Sequence, residues 1–493
     1  MTNGADHRSL RSRNLLYQRP WDKMLKILGS FKLISRRYRM VIGRCKRGRE
    51  HNSTFEGKED NKEDEQQSQD HTAASESVLG CGILELPMNL IYEILSRLPP
   101  KTIICSKCVC KTFLKILTDP YFSELNLIKA PNVCASLVLQ HSPSSCAFHF
   151  VYMQDLEETS AAATCTAGDR PFYRRRFSHP CQALTVKSTR FELCHRQVTL
   201  VGSCNGLLCL YHASWPPFHY ICNPVLGEVM VLPNQISAKQ AYNYHSHSGF
   251  GFCPKTKRYK VISLTCMQYT DPETRLVSSG KAKAEIYTLG TESWRKIGDA
   301  PLPMSEGSFD SFLNGILHWI TDGFTAFNLI SSFDFEMEQF GSVPGPTHFD
   351  QECINKISWI NVGVLGEFLS LCYVICNGQF DVWVMKDYGV KESWTREFVI
   401  DINFYCVREH YLHQPIAFLR NGDLLFIWKS RSLVSYNHRK GTFREFKAFG
   451  PCGVRAIAHI PSFISLKDFA RGGLLRTSRW RGLMGGVNFY THM

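Results

Sequence analysis

No stretch of this sequence strings together the about eighteen apolar residues that a membrane-crossing helix needs. The N-terminal region is polar and arginine-rich and lacks the apolar centre of a secretory signal. Without such a signal, the 20 cysteines read as thiols in a reducing compartment, not as a disulfide frame. There is no P-loop, no dinucleotide fingerprint and no acid pair at a defined spacing. No residue constellation therefore stands behind a catalytic reading. What is present fits a globular protein with a large core, since 44% of residues are hydrophobic and 12% aromatic. At 493 residues the chain has room for two or three domains.

Charge is unevenly placed. The net +13 splits into +11 over residues 1–50, −6 over 51–80 and +4 over 464–493, leaving the middle near neutral at +4. A basic whole-chain balance thus says little about the main domain's partners. Residues 21–42 can form a basic amphipathic helix, with Met24, Leu25, Ile27, Leu28, Phe31 and Ile34 on its apolar side. The Arg36, Arg37, Arg39, Arg44, Lys46, Arg47, Arg49 cluster also fits a nuclear import signal or a nucleic-acid contact. A transit peptide and a plain solvated tail remain open beside these. Residues 51–78, acidic and rich in Gln and Ser, read as a flexible linker with too little apolar surface to offset chain entropy.

Residues 83–131 separate this extension from a long β-like region. Pro87 sits where a helix would start, and its missing N–H costs nothing there. Leu90, Ile91, Ile94, Leu95 and Leu98 then form one apolar stripe at helical spacing. Pro99-Pro100 stops that helix. A second run carries Ile103, Ile104, Cys108, Val109, Phe113, Ile116 and Leu117 up to Asp119-Pro120, and a short third helix follows over 121–128. So small and apolar a cluster needs something else to pack on. The stretch resembles an F-box through Leu86-Pro87, Leu90, Glu93-Ile94-Leu95, Arg97-Leu98-Pro99, Lys101, Cys108-Val109-Cys110-Lys111 and Asp119-Pro120-Tyr121-Phe122. In that family the helices dock on the Skp-type adaptor of a cullin-RING ubiquitin ligase. The resemblance implies that Leu86, Pro87, Leu90, Ile94, Leu95, Leu98, Pro99, Val109 and Cys110 carry this contact. Two departures stand out: Phe113 where the family usually has Trp, and Cys105-Ser106 where it often has Arg-Cys.

From 131 to 465 the pattern becomes short β-like runs punctuated by Gly, Asn and Pro. A repeat runs through it. Asn205-Gly206, Asn314-Gly315 and Asn421-Gly422 each precede an apolar run, as does Gly366, and a weaker unit fits at residues 257–262. Trp294, Phe340, Trp394 and Phe443 keep the same beat of roughly fifty residues. Between the two marks lie strands near 218–222, 284–289, 333–335, 380–385 and 433–436. Each unit reads as four antiparallel strands with a tight hairpin at Asn-Gly, where positive φ is needed. Five units span about 200–447, and 133–200 holds one or two more. The expected architecture is a small all-α module followed by a propeller of six to eight four-stranded blades, closed by terminal strands. A β-sandwich array is the alternative.

This region resembles the F-box-associated domain of plant F-box proteins, related to the F-box/kelch group. The likeness rests on residues 201–210 (VGSCNGLLCL), Asn223-Pro224, 249–252 (GFGF), 257–261, Trp294, 314–319, 332–335, 381–394 and 421–436. It implies a domain that recruits a protein substrate for ubiquitylation, with recruiting residues that vary and cannot be transferred. The chain then reads as a non-catalytic adaptor without cofactor, acting in nucleus or cytoplasm and joined through the Skp-family protein to cullin and RING subunits. A nucleic-acid-binding propeller using basic tails is the alternative, and the near-neutral middle argues against it. The resulting domains are an extension over 1–79, the F-box over 80–130, the β domain over 131–465 and a basic tail over 466–493.

Several patterns invite other readings. Gly202-Ser203-Cys204-Asn205-Gly206 matches a nucleophile elbow in letters. The following Leu207-Leu208-Cys209-Leu210 is strand-like, however, so the glycines are expected in a hairpin. Cys105, Cys108 and Cys110 lack a second pair at zinc-finger spacing and are assigned to packing or the adaptor contact. His212, His219, His245 and His247 are placed in an exposed blade loop. Trp215-Pro216-Pro217-Phe218 and Tyr242-Asn243-Tyr244 offer loop aromatics for a partner or for blade packing. Trp294 and Trp394 are expected in the blade core.

Overall fold

The computed structural model describes residues 86–129, 136–140, 147–157, 189–192 and, with short interruptions, 198–477. The extension over 1–79, Trp215 and Tyr242-Asn243 lie outside these residues. Among the described residues no helix is long and apolar enough to cross a membrane.

The helical module holds α1 (Met88–Ser96), α2 (Pro100–Ser106), α3 (Lys111–Leu117) and α4 (Pro120–Lys129). Pro87 caps α1 and Pro99 caps α2, positions where a missing N–H leaves nothing unpaired. The second helical run, expected as one helix, is two. Cys110 turns extended at φ −157, and its Sγ accepts the Phe113 N–H at 3.4 Å, starting α3 afresh. Ile91, Leu95, Leu98, Ile103, Phe113, Ile116, Leu117 and Phe122 are all buried. The Tyr92 hydroxyl donates to Asp119 Oδ2 at 2.7 Å, and Asn126 Nδ2 donates to the Ser96 carbonyl at 2.8 Å, tying α1 to α4.

The β domain is a ring of six blades. Blade 2 is built from Val198–Cys204, Leu207–His212, Phe218–Asn223 and Glu228–Val231. Blade 3 comprises Tyr244–Cys253, Arg258–Thr270, Ala282–Thr288 and Arg295–Ala300, with Val277–Ser279 added. Blade 4 has Phe312–Leu313, Ile316–Ile320, Ile330–Asp334 and Gln339–Val343. Blade 5 has Ile357–Leu365, Phe368–Ile375, Gln379–Met385 and Trp394–Asp401. Blade 6 has Gln414–Phe418, Leu424–Trp428, Ser432–Asn437 and Thr442–Phe446. Blade 1 draws on both ends of the domain: Arg455–His459 pairs antiparallel with Ser136–Gln140, followed by Ala147–Tyr152 and Thr189–Glu192. The expected closure by terminal strands is this pairing, and the blade count is six because the region before 198 supplies one blade.

Six buried apolar clusters hold the ring, each shared by two neighbouring blades. A blade is therefore buried on both faces, which is why its middle strands read as continuous apolar runs such as LLCLY and LLFIW. The hairpins follow the expected chemistry at two sites. Asn205 (φ 50) with Gly206 (φ 79), and Asn314 (φ 51) with Gly315 (φ 85), both take the left-handed conformation that a tight hairpin demands. Asn421 does not; only Gly422 is left-handed, and Asn421 Oδ1 instead accepts from the Asp423 N–H at 3.0 Å.

Trp294 and Trp394 are buried as expected and also join blades. The Trp294 indole N–H donates to the Pro233 carbonyl at 2.7 Å, and the Trp394 indole to Pro344 at 2.8 Å. Each reaches from the start of the last strand of its own blade to the linker leaving the blade before. The segment expected as a tail from 466 onward holds structure at Leu466–Phe469 and Leu474–Thr477. Leu466 is buried between blades 2 and 3, and Leu474–Thr477 pairs with Glu228–Val231 as a fifth strand on the otherwise open edge of blade 2.

Candidate functional site

The helical module presents an apolar surface beside its core. Of the nine residues expected at an adaptor contact, Pro87, Leu90 and Pro99 are exposed, and Leu86, Ile94, Val109 and Cys110 are half-buried. Leu95 and Leu98 point inward, at 0% and 7% exposure. Met88 and Leu114, which the sequence pattern did not single out, stand exposed at 51% and 46%. Five of the eleven large apolar side chains exposed among the described residues belong to this short module: Met88, Leu90, Leu114, Tyr121 and Ile128. Phe113 fills the interior in place of a larger ring. Cys105 and Cys108 are exposed thiols and Cys110 is half-buried, so of the three only Cys110 has an internal task, capping α3.

The module is seated on the ring by the segment that follows the closing strand. Residues 460–469 run beneath blade 2. Asn223 Nδ2 donates to the carbonyls of Ser462 at 3.1 Å and Ile464 at 2.7 Å. Glu228 accepts from the Leu466 N–H at 2.7 Å and from the Ser465 hydroxyl at 3.0 Å. Between these clamps, Phe463 meets the helices. Its carbonyl accepts from Ser123 Oγ at 2.8 Å, its ring lies 6.1 Å from that of Phe122, and Lys107 Nζ sits 5.6 Å above it. Burial pushes the Lys107 ammonium pKa down, and Glu228 pulls it the other way. Lys257, at the first turn of blade 3, adds an exposed ion pair with Glu124 at 3.3 Å. Sequence reading missed Glu228, Ser462 and Phe463. It marked Asn223 only as part of a family pattern, and the run IPSFISL just past the last blade was the signal available.

Strand direction alternates within a blade, so the first and third turns of every blade share one face of the ring. Asn205-Gly206, Lys257 and Asn223 all lie on that face, the one the helices occupy. The opposite face carries the second turns and the linkers between blades. There, blade 5 and the linker entering it form a groove of about 370 Å³. Short helix Gln351–Asn355 edges it, capped by Asp350, whose Oδ1 accepts from the Cys353 N–H at 2.8 Å. His348 stacks on Trp383 with ring centroids 4.2 Å apart. The Trp383 indole N–H donates to the Tyr373 hydroxyl at 3.1 Å, and His348 Nε2 lies 3.0 Å from the same oxygen. Arg396 holds both oxygens of buried Asp381, at 2.8 and 2.7 Å. Burial first, and Arg396 second, lower the His348 pKa.

The other sequence patterns resolve structurally. Cys204 is buried and Asn205-Gly206 turns between paired strands, so the elbow-like motif is a hairpin. The histidines expected in an exposed loop lie in strands instead: His212, His219 and His247 are buried, because the strands carrying them pack between blades. His212 stacks on Phe218 at 4.6 Å, and His219 Nε2 pairs with Ser248 Oγ at 2.8 Å. Among the described residues no three His, Cys, Asp or Glu side chains gather as a metal site would require.

A four-helix module seated under a six-bladed ring defines an F-box protein of the propeller type. Residues 83–125 match the F-box domain and residues 165–458 the F-box associated beta propeller domain, and the chain belongs to that family. Its relatives in Arabidopsis thaliana include F-box protein At3g07870, 28% identical over 76% of this chain and 89% of that one. F-box/kelch-repeat protein At3g23880 is 24% identical over 63% and 78% of the two chains. F-box protein CPR1 is 23% identical over 64% and 73%.

Proposed function

We propose that this chain is the substrate-recognition adaptor of an SCF-type cullin-RING ubiquitin ligase. The helical module binds a Skp-family adaptor, and the ring recruits a protein for ubiquitylation. The observation that carries the reading is the exposed apolar surface of the F-box helices around Leu90, on a module firmly seated on the ring. Exposed apolar side chains concentrated in so small a module mark a partner-binding face. Covering it with a second protein satisfies α1 without disturbing the seat, which uses α4 and the α2–α3 turn. The chain supplies no nucleophile in this mechanism. It supplies proximity: a recruited protein's lysines meet a high effective concentration of charged ubiquitin-conjugating enzyme.

The test is capture of a purified Skp-type adaptor and a cullin by the full chain, comparing wild type with Leu90→Glu. Wild type should capture both and Leu90→Glu neither, with unchanged thermal unfolding. Equal capture by the two chains would remove α1 from the contact, and capture by neither would end the ligase assignment.

A further inference from the structure

The groove on blade 5 lies on the ring face away from the F-box helices, where a recruited protein would not collide with the adaptor. We propose that this groove receives a positively charged side chain, lysine or arginine, of the recruited polypeptide. The inference rests on the recruiting role given above and adds the chemistry of what is recruited.

The wall of the groove is aromatic and fixed. The stack of His348 on Trp383 and the shared hydroxyl of Tyr373 hold three rings in one arrangement before any ligand arrives. Carboxylates outnumber cations around it: Asp350, Glu352 and Asp381 against Lys356 and Arg396. Each cation already holds a carboxylate. Lys356 Nζ is 2.6 Å from Glu352, and Arg396 grips Asp381. Asp350 is thus the surplus charge, with no ion pair to a cation among the described residues. A cation entering the groove meets this aromatic wall and the carboxylate together, and gains from both.

An anion has no comparable place. It meets a lining with one more carboxylate than cations, and drawing Arg396 off Asp381, which is 2% exposed, would leave a buried carboxylate unpaired. Burial and Arg396 both favour the neutral form of His348, so the stack adds no positive charge of its own. The volume, about 370 Å³, is at the small end for ligand sites and suits one long side chain with its flanking backbone.

The experiment uses the full chain and short acetylated, amidated Gly/Ser peptides carrying several arginines, several glutamines or several glutamates. Calorimetric titration reads affinity, and the tryptophan fluorescence change that is lost in Trp383→Leu reports on Trp383. The arginine peptide should bind best. Asp350→Asn keeps the cap on Cys353 N–H and should weaken it about threefold. Trp383→Leu should weaken it about fivefold. The glutamine peptide should bind wild type no better than the arginine peptide binds Trp383→Leu. A preference for the glutamate peptide overturns the proposal. So does arginine-peptide binding that survives both substitutions, since it would then reside elsewhere, as on the acidic 51–80 segment. Adaptor capture is read separately: Leu90→Glu should bind the peptide like wild type. Lost peptide selectivity with intact capture sinks the groove alone, whereas failed capture with intact selectivity sinks the ligase role alone.

Discussion

Two glycines with the same backbone conformation carry different loads. Gly206 (φ +79) turns directly against the C-terminal segment: a Cβ there would lie 2.4 Å from Ser462 Oγ and 2.6 Å from the Ile460 carbonyl. Gly422 (φ +84) has nothing within 4 Å of the same position. Gly422→Ala should therefore show only the left-handed conformational cost, about 1–2 kcal/mol. Gly206→Ala should lower the unfolding midpoint further, because backbone must move as well. Equal shifts in thermal unfolding would mean that the close approach at Gly206 is not needed. The two inter-blade tryptophans allow a similar comparison. Trp394→Phe keeps an aromatic ring and removes the donor to Pro344, at an expected cost of about 1 kcal/mol. A stabilised Trp394→Phe in urea unfolding would show that this hydrogen bond does not hold blades 4 and 5 together.

Among elements, α1 lets the proposed binding role be separated from folding. Leu90 is exposed at 44% while Leu98, two residues past the helix end, is buried. Leu98→Glu places a charge in the module's interior and should unfold the F-box, seen as lost helical signal and lost protection in α3 and α4. Leu90→Glu should leave that protection intact, and matching protection patterns in the two variants would contradict this division. Much of this was legible in the sequence. The Asn-Gly and Trp/Phe beat located the blades because each unit solves the same local problem, a tight turn followed by a strand buried on both faces. The exposed and buried members of the adaptor set were not separable, since helical spacing marks a stripe and says nothing of what covers it. The seat at Phe463 was hidden for another reason. It occurs once, repeats nothing, and depends on residues that lie 340 positions apart in the chain.

Across the whole molecule, buried histidines make the ring sensitive to acid. His219 sits against Ser248 of the next blade, His318 against Tyr388 of the next, and His459 between Ser136 and the Gly206 carbonyl. Burial lowers their pKa values from 6.5 to about 3, 4 and 4 respectively. All three stay neutral in the folded ring at a pH where the unfolded chain protonates them. Their contribution is complete above pH 6.5 and is lost as pH falls from there toward 4, by about 1.4 kcal/mol per pH unit for each histidine. Urea midpoints should drop steeply through this window, and His318→Gln should flatten the slope. A midpoint unchanged between pH ~7 and pH ~5 would show that these histidines are not coupled to folding.

The C-terminal segment that closes the ring and seats the helices also sets an order of events on the ribosome. The F-box is made early, whereas Phe463, its seat, emerges 340 residues after Ser123. At ordinary translation rates that interval is roughly 15–70 s. For that time the helical sequence has emerged, the segment that seats it has not, and no closed ring exists to orient it. On the proposed role, a nascent chain would offer its adaptor-binding face well before it has a finished surface for recruiting anything. On the same proposed role, a chain that terminates before 455 would keep the first without gaining the second and occupy adaptor unproductively.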